Sequence, residues 1–282
     1  MYSAFFESDT GEKYVFGNSG NTVFDMDVGN GVSVNIGTSQ GVSQVGVTVQ
    51  TRNVPGRNIN VKGVIYGDVQ GKKRAMRRII SPLSAGKLVF NEQYYTRVFV
   101  KTAPSFSPLK DNGRFSLQFF APFPYFYDIS QQSFEIGTVK PMFMFPVNYS
   151  NPHKFGEKGN ERYKNITNDG DASVPFSLFL TTSGTSTNIT ITNLLTFKQL
   201  KLNGTLNAGE YINVYRDNDN VLRAELTSNG ITQDIISWVD ESSELFELEV
   251  GDNLISANDD KGGVSLNAKI TFNPAVVSLY ET

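Results

Sequence analysis

The chain has 282 residues and a formal net charge of −3, with abundant glycine, phenylalanine and tyrosine and no cysteine. This length is sufficient for two domains that each bury a hydrophobic core. The absence of cysteine excludes disulfide bonds, zinc–thiolate centres and thiol nucleophiles.

The charge is divided unevenly along the chain. Residues 1–140 carry 15 Lys and Arg against 10 Asp and Glu, whereas residues 141–282 carry 10 against 18. Opposite signs in the two halves predict two domains with different neighbours. The basic half is too mildly charged, and too interspersed with acids, to predict a nucleic-acid groove.

The sequence shows neither a secretion signal nor a membrane span. Its first residues, MYSAFFESDTGEKYVF, contain acidic turn residues where a signal peptide has a basic flank and an apolar core. No segment reaches the ~20 apolar residues that cross a bilayer. We therefore expect synthesis in a cytoplasm.

Short strands and hairpins are predicted up to residue 50, with strands at Val32–Ile36 and Val45–Gln50. The stretch 55–82 then changes period. Ile59, Val61 and Ile65 alternate with polar residues, which predicts a half-buried strand. Helical spacing follows, with one predicted apolar face made of Ala75, Met76, Ile79, Ile80 and Leu83. The opposite face is predicted to carry Lys72, Lys73, Arg74, Arg77 and Arg78.

The basic face of this helix has three interpretations. It is a solvated surface, a protein–protein contact with acidic neighbours, or a contact with nucleic acid or membrane. The strand before the helix and Pro82 after it hold the helix on a sheet, which favours the first two. The candidate contact residues are Lys73, Arg74, Arg77 and Arg78.

Further strands complete a β-rich first domain. Residues 87–90, 94–101 and 114–120 have strand composition or alternation, whereas two prolines in 121–127 exclude a central strand there. We place the domain boundary after residue 136, which gives domains 1–136 and 137–282. The polar segment 141–164 is predicted to be a loop or short arm.

The second half predicts a β-sandwich. Nine short strand-like segments between residues 174 and 272 are separated by turn sequences such as TSGTS, DNDN, SNG and DDKGG. The predicted fold is therefore mainly β, with one helix in the first domain.

The residue types that catalysis and metal binding require are scarce. His153 is the single histidine, and it lies in the polar segment SNPHKFGEKGN. Asp217–Asn220 resembles the start of a calcium loop, but the following Val221 and Leu222 favour a hairpin turn. A glycosidase would need two carboxylates, for which Asp240, Glu241 and Glu244 are candidates in one acidic run. We expect no enzyme activity, catalytic residue, cofactor or metal.

The order of these elements resembles one protein family. GRNINVKGVIYG, the basic helix, RVFVK and RFSLQFFAPFPYFYD are similar to the N-terminal domain of siphophage distal tail proteins. LKLNGTLNAGEYINVYRDNDNVL, LEVGDNLIS and ITFNPAVVSLY are similar to that family's C-terminal, galectin-like sandwich.

This resemblance implies a hexameric ring at the hub of a phage baseplate. The N-terminal domains would form a belt below the tail tube, above the tail-associated protein, and some relatives also hold receptor-binding proteins. The expected location is the phage tail tip, with no nucleic-acid partner. An alternative is a carbohydrate-binding protein that recognises host cell-wall polysaccharide through the C-terminal sandwich. The segment 141–164 is too short for the carbohydrate-binding modules that larger family members insert.

Overall fold

The computed structural model describes residues 3–17, 22–29, 31–108, 113–137, 139–141, 156–158, 162–243, 246–263 and 265–279. The chain forms two compact units. The first comprises residues 1–130 together with 275–282, and the second comprises residues 131–274.

Among the described residues, the first unit contains one helix, all nine strands of one large sheet and the two strands of a separate hairpin. Its elements are β1 (Ala4–Ser8), β2 (Lys13–Phe16), β3 (Thr22–Met26), β4 (Asn35–Ser39), β5 (Thr48–Asn53), β6 (Arg57–Ile65), α1 (Val69–Ile79), β7 (Ala85–Phe90), β8 (Tyr94–Phe106), β9 (Arg114–Ala121), β10 (Phe126–Asp128) and β23 (Ala275–Val276).

The large sheet is antiparallel, in the order β2-β1-β7-β8-β9-β6-β3, and β10 joins it by pairing with β8 and β23. The alternation predicted for β6 is confirmed, because Ile59, Val61 and Ile65 are buried while the residues between them are exposed or partly exposed. Aromatic rings fill the core, and Phe6 stacks on Phe119 with ring centroids 5.2 Å apart.

Among the described residues, the second unit has two large antiparallel sheets and one short two-stranded sheet. Its strands are β11 (Gln132–Ile136), β12 (Val139–Pro141), β13 (Gly156–Lys158), β14 (Tyr163–Asn168), β15 (Ser177–Thr182), β16 (Thr185–Asn193), β17 (Gln199–Asn207), β18 (Tyr211–Arg216), β19 (Leu222–Ser228), β20 (Ile231–Asp234), β21 (Gly251–Asn258) and β22 (Leu266–Phe272). One large sheet runs β11-β22-β15-β18-β19-β20 and the other β14-β21-β16-β17.

These two sheets form the predicted sandwich. Their strands alternate buried and less buried residues, and fully buried Leu180, Ile191 and Ile255 contribute to the core between them. The mainly β fold class is thus confirmed. Other details differ, since strands β11 to β14 were not predicted. Residues 246–248 are not a strand, and among the described residues they form one bridge, from Leu248 to Val174.

The unit boundary lies between residues 130 and 131, instead of after residue 136. Gln132–Ile136 pairs with β22 and therefore belongs to the second unit. The chain end returns to the first unit because β23 pairs with β10. Long-range pairing of this kind leaves no local signal in the sequence.

Part of the predicted loop or short arm, 141–164, is described. Strand β12 pairs with β13 in a short antiparallel ladder, and β14 begins at Tyr163. Residues 142–155 and 159–161 lie outside the described residues. Within the described ranges, no helix is long and apolar enough to cross a membrane.

Candidate functional site: a cationic helix and an exposed hairpin

Helix α1 begins and ends where its sequence dictates. The carboxylate of Asp68 accepts a hydrogen bond of 2.9 Å from the backbone N–H of Gly71 and so caps the first turn. The N–H of Ile80 still donates to the carbonyl of Met76, and Pro82 follows, which cannot continue a helix. Arg77 and Arg78 lie in the last turn, where positive charge complements the helix dipole.

The predicted apolar face is correct in four of its five members. Met76, Ile79 and Ile80 are buried in the core of the first unit, and Ala75 packs against that core. Leu83 is the exception, because its side chain is 97% exposed. The helix ends before this residue, and the turn that follows directs Leu83 to solvent.

The predicted basic face of the helix is wrong at Lys73. It is only 5% exposed, whereas the sequence placed it on the solvated side. Its ammonium lies 5.7 Å from the ring centroid of Phe106. A cation over an aromatic face is electrostatically favourable, so Lys73 contributes to packing against β8 and offers little surface to a partner.

The three arginines of the candidate site are exposed, but their environments differ. Arg77 lies over the ring of Phe106 at 4.7 Å, and Arg78 forms an ion pair of 3.1 Å with Glu12. Arg74 forms no ion pair with any residue that the structure describes. Arg74 and Arg77 are therefore the members of this group best placed to meet an acidic neighbour.

The most exposed apolar surface of the first unit is a separate hairpin. Within the described ranges, strands β4 and β5 pair only with each other, and every residue of β5 is exposed. Ile36 and Val49 are more than half exposed, and Val42 and Val45 in the connecting turn are fully exposed. The sequence predicted two strands here, and the observed strands begin about three residues later than predicted. It did not predict that both faces of the hairpin are exposed to solvent.

The carboxylates considered for chemistry have structural partners. Asp217 closes the predicted β18–β19 turn, since its side chain accepts hydrogen bonds from the N–H groups of Asp219 and Val221 and pairs with Arg223 at 2.9 Å. Asp240 accepts hydrogen bonds from Ser242 and from the amide of Asn203. These bonds, led by that of the Ser242 hydroxyl, lower the pKa of Asp240 to about 2, so this carboxyl is ionised at neutral pH.

Trp238 packs against the backbone of Gly204. A Cβ added at Gly204 would lie 2.1 Å from the indole ring, so the ring covers the strand closely at this point. The side of the Trp238 indole that faces β17 is therefore not available for stacking on a ligand.

His153 and Glu244, two of the residues considered for chemistry, lie outside the described residues. Among the residues that are described, no group of three or more His, Cys, Asp or Glu side chains is arranged to hold a metal ion.

Two family models match the chain. The model for the C-terminal domain of siphovirus-type tail components matches residues 169–275. The model for the RIFT-related domain of phage tail proteins matches residues 9–121. Together they cover most of both units. Among curated proteins, a sequence search finds no match.

Solved structures of phage proteins are similar to this chain. The Dit (gp 19.1) protein of phage SPP1, described as a hub of the adsorption apparatus in phages that infect Gram-positive bacteria, is similar with a TM-score of 0.65 and 13% identity, over 97% of this chain and 99% of that chain. A chain of the phage P2 baseplate in its activated conformation with Ca has a TM-score of 0.49 and 12% identity, over 96% of this chain and 97% of that one. At 13% identity, the likeness to the SPP1 protein shows a shared fold alone.

Proposed function

Because the chain belongs to the siphovirus-type tail component family, that of siphophage distal tail proteins, we propose that it is the structural hub of a phage tail tip. Six copies form a ring in the virion that joins the tail tube to the tail-associated and receptor-binding proteins. Its role is assembly, without catalysis.

The observation that carries this proposal is the β4–β5 hairpin. A two-stranded hairpin is marginally stable alone in water, and this one pairs with no other strand among the residues that the structure describes. Its exposed valines and isoleucine form the kind of apolar surface that monomeric proteins seldom leave open. Contact with another molecule would cover this surface and stabilise the hairpin.

A closed ring of identical chains needs two different surfaces on each copy. Such a contact is heterologous, and it closes only if the rotation between copies divides the circle. The hairpin supplies one apolar surface, and the cationic face of α1, defined here as Arg74, Arg77 and Arg78, supplies a charged one. Residues 35–53 contain no acidic residue, so we expect the cationic face to meet an acidic part of another surface, where complementary charge guides which surfaces meet more than it adds affinity.

Light scattering on the purified full-length chain, over a range of concentrations and with its tail partners added, tests the proposal. We expect a discrete assembly, and electron micrographs of that assembly should show rings with sixfold symmetry. A strictly monomeric species that forms no ring with tail partners would contradict the hub function. A closed ring of another symmetry would contradict the hexamer alone.

A variant of the hairpin tests the observation itself. The double change Val42→Ser and Val45→Ser removes exposed apolar groups without touching the core, so the monomer should keep its fold while assembly weakens. Val221→Ser, on an exposed valine of the second unit, is the matched control. Equal assembly of all three proteins would show that the hairpin does not carry the contact.

A further inference from the structure

Leu83 combines two unfavourable features in one residue. Its φ is +67°, in the left-handed region that favours glycine or asparagine, and its side chain is 97% exposed. The surrounding turn, Ser81–Ser84, is closed by a 3.1 Å hydrogen bond from the N–H of Ser84 to the carbonyl of Ser81. Pro82 and Leu83 therefore occupy the two central positions of a type II turn, whose second position normally holds glycine or asparagine.

Neither feature is needed for folding. Asparagine at this position would relieve the backbone strain, and a polar side chain would avoid exposing apolar surface to water. Strained residues of this kind persist where the rest of the structure holds them, and they occur preferentially at functional contacts. The pattern therefore points to a contact outside the monomer.

The turn is also rigid. Pro82 fixes its own φ, the hydroxyls of Ser81 and Ser84 lie 2.7 Å apart in hydrogen-bond contact, and the N–H of Val100 in β8 donates to the carbonyl of Ser84 at 2.9 Å. A side chain presented in one fixed direction loses little entropy on binding.

We propose that Leu83 of one copy packs onto the β4–β5 hairpin of a second copy of this chain, as the apolar anchor of the ring contact. This inference rests on the ring proposed above. An exposed leucine needs an apolar receiving surface, and the hairpin is an uncovered apolar surface of the same unit. Within one chain the two do not cover each other, because Leu83, Val42 and Val45 all remain almost fully exposed.

Charge is consistent with this occupant. Residues 35–53 contain one arginine and no acidic residue, so a contact with the hairpin depends on apolar burial and not on ion pairs. The anchor contact should therefore persist at high salt, when interactions of the cationic face are screened.

The absence of cysteine from the chain allows a direct test by cross-linking. One preparation carries Leu83→Cys and a second carries Val45→Cys, and the two are mixed under mild oxidation. We expect a disulfide-linked dimer that contains one copy of each variant. Replacing Val45→Cys with Phe197→Cys, at an exposed residue of the second unit, should give only background cross-linking. Equal cross-linking of the two mixtures would overturn the inference.

A second measurement separates this inference from the ring itself. Leu83→Asn should keep or raise the thermal midpoint of the chain, while the concentration needed for half-assembly rises about tenfold or more. Leu83→Met keeps an apolar side chain and should assemble like the unmodified protein. If the unmodified chain assembles and Leu83→Asn assembles equally well, Leu83 is not the anchor and the ring proposal stands. If the unmodified chain forms no assembly with or without partners, the ring proposal fails as well.

Discussion

The guanidinium of Arg57 donates a hydrogen bond of 3.2 Å to the carbonyl oxygen of Val277, which joins two residues 220 positions apart. Arg57 also lies over the ring of Phe126 at 4.9 Å, and β23 pairs with β10 beside it. Burial of this guanidinium lowers its pKa from the usual value, although Asp27 opposes the shift. The end of the chain is thus held on the first unit by a partly buried, charged group.

Arg57→Ala should destabilise the first unit. The change removes a charge-assisted hydrogen bond and the packing on Phe126, so we expect the free energy of unfolding to fall by about 1–3 kcal/mol. Urea denaturation measures this difference. Arg52→Ala, at an exposed arginine on β5, should change the same quantity by no more than about 0.5 kcal/mol. Equal effects of the two substitutions would show that the Arg57 contact adds no stability.

From the Asp9–Arg97 ion pair we expect a stability that depends on pH. Two hydrogen bonds from Arg97, one of them 2.8 Å long, lower the pKa of Asp9 from its usual value of 3.8. A lowered folded pKa gives stability that is present at neutral pH and is lost as the pH falls through that value. Asp9→Asn should therefore be less stable than the unmodified protein at pH 7, by up to about 1 kcal/mol for this half-exposed carboxylate.

Denaturation at a series of pH values checks this expectation, since the difference should vanish below the folded pKa of Asp9. In an Arg97→Gln background the Asp9→Asn change should have little effect at any pH. A pH-independent difference would show that Asp9 acts through something other than its charge.

The cationic face predicts an effect on assembly. Reversing two charges with Arg74→Glu and Arg77→Glu should leave the chain folded, at a cost of about 0.5–1 kcal/mol for the lost Arg77–Phe106 contact. Assembly at low salt should weaken. Circular dichroism follows the fold and light scattering the assembly.

Lys198→Glu with Lys269→Glu changes the net charge equally on exposed lysines of the second unit and serves as the control. If both double variants assemble like the unmodified protein, the arginines form a solvated surface, as one interpretation of the sequence holds.

The close contact between Gly204 and the Trp238 indole can be tested by tryptophan fluorescence. Gly204→Ala would place a methyl group 2.1 Å from the indole, so the ring must move, at an expected cost of about 1–3 kcal/mol. Because Trp238 is the only tryptophan, its fluorescence reports this movement. At Gly184 an added Cβ would meet nothing nearer than the Ser265 hydroxyl at 3.4 Å, so Gly184→Ala should leave the emission unchanged. An unshifted spectrum for Gly204→Ala would contradict the observed packing.

Several features of the fold could be predicted from local pattern. The alternation of Ile59, Val61 and Ile65 placed β6 correctly, and the spacing of Met76, Ile79 and Ile80 placed the buried face of α1. Asp217 and Asn220 correctly indicated a turn between paired strands. These predictions succeed because a strand or helix with one buried face repeats its apolar residues with the period of its backbone.

The candidate site was predicted less well, because exposure depends on what surrounds an element. Lys73 belongs to the polar pattern of α1, yet the end of β8 brings Phe106 over it and the side chain is buried. The hairpin strands contain valines, as buried strands do, yet no other strand in the described part of the chain pairs with them. A sequence period does not reveal whether a second layer is present.

By itself, the sequence determined the mainly β architecture, the single helix with its apolar face, the sandwich of the second unit and the family, whose motifs occur in a characteristic order. Only the tertiary structure decided that residues 275–282 complete the first unit, that Lys73 is buried and that Leu83 projects from a strained turn. The physical reason is the range of the interactions. Periodicity records which face of an element is apolar, whereas pairing between distant strands decides which faces are finally covered.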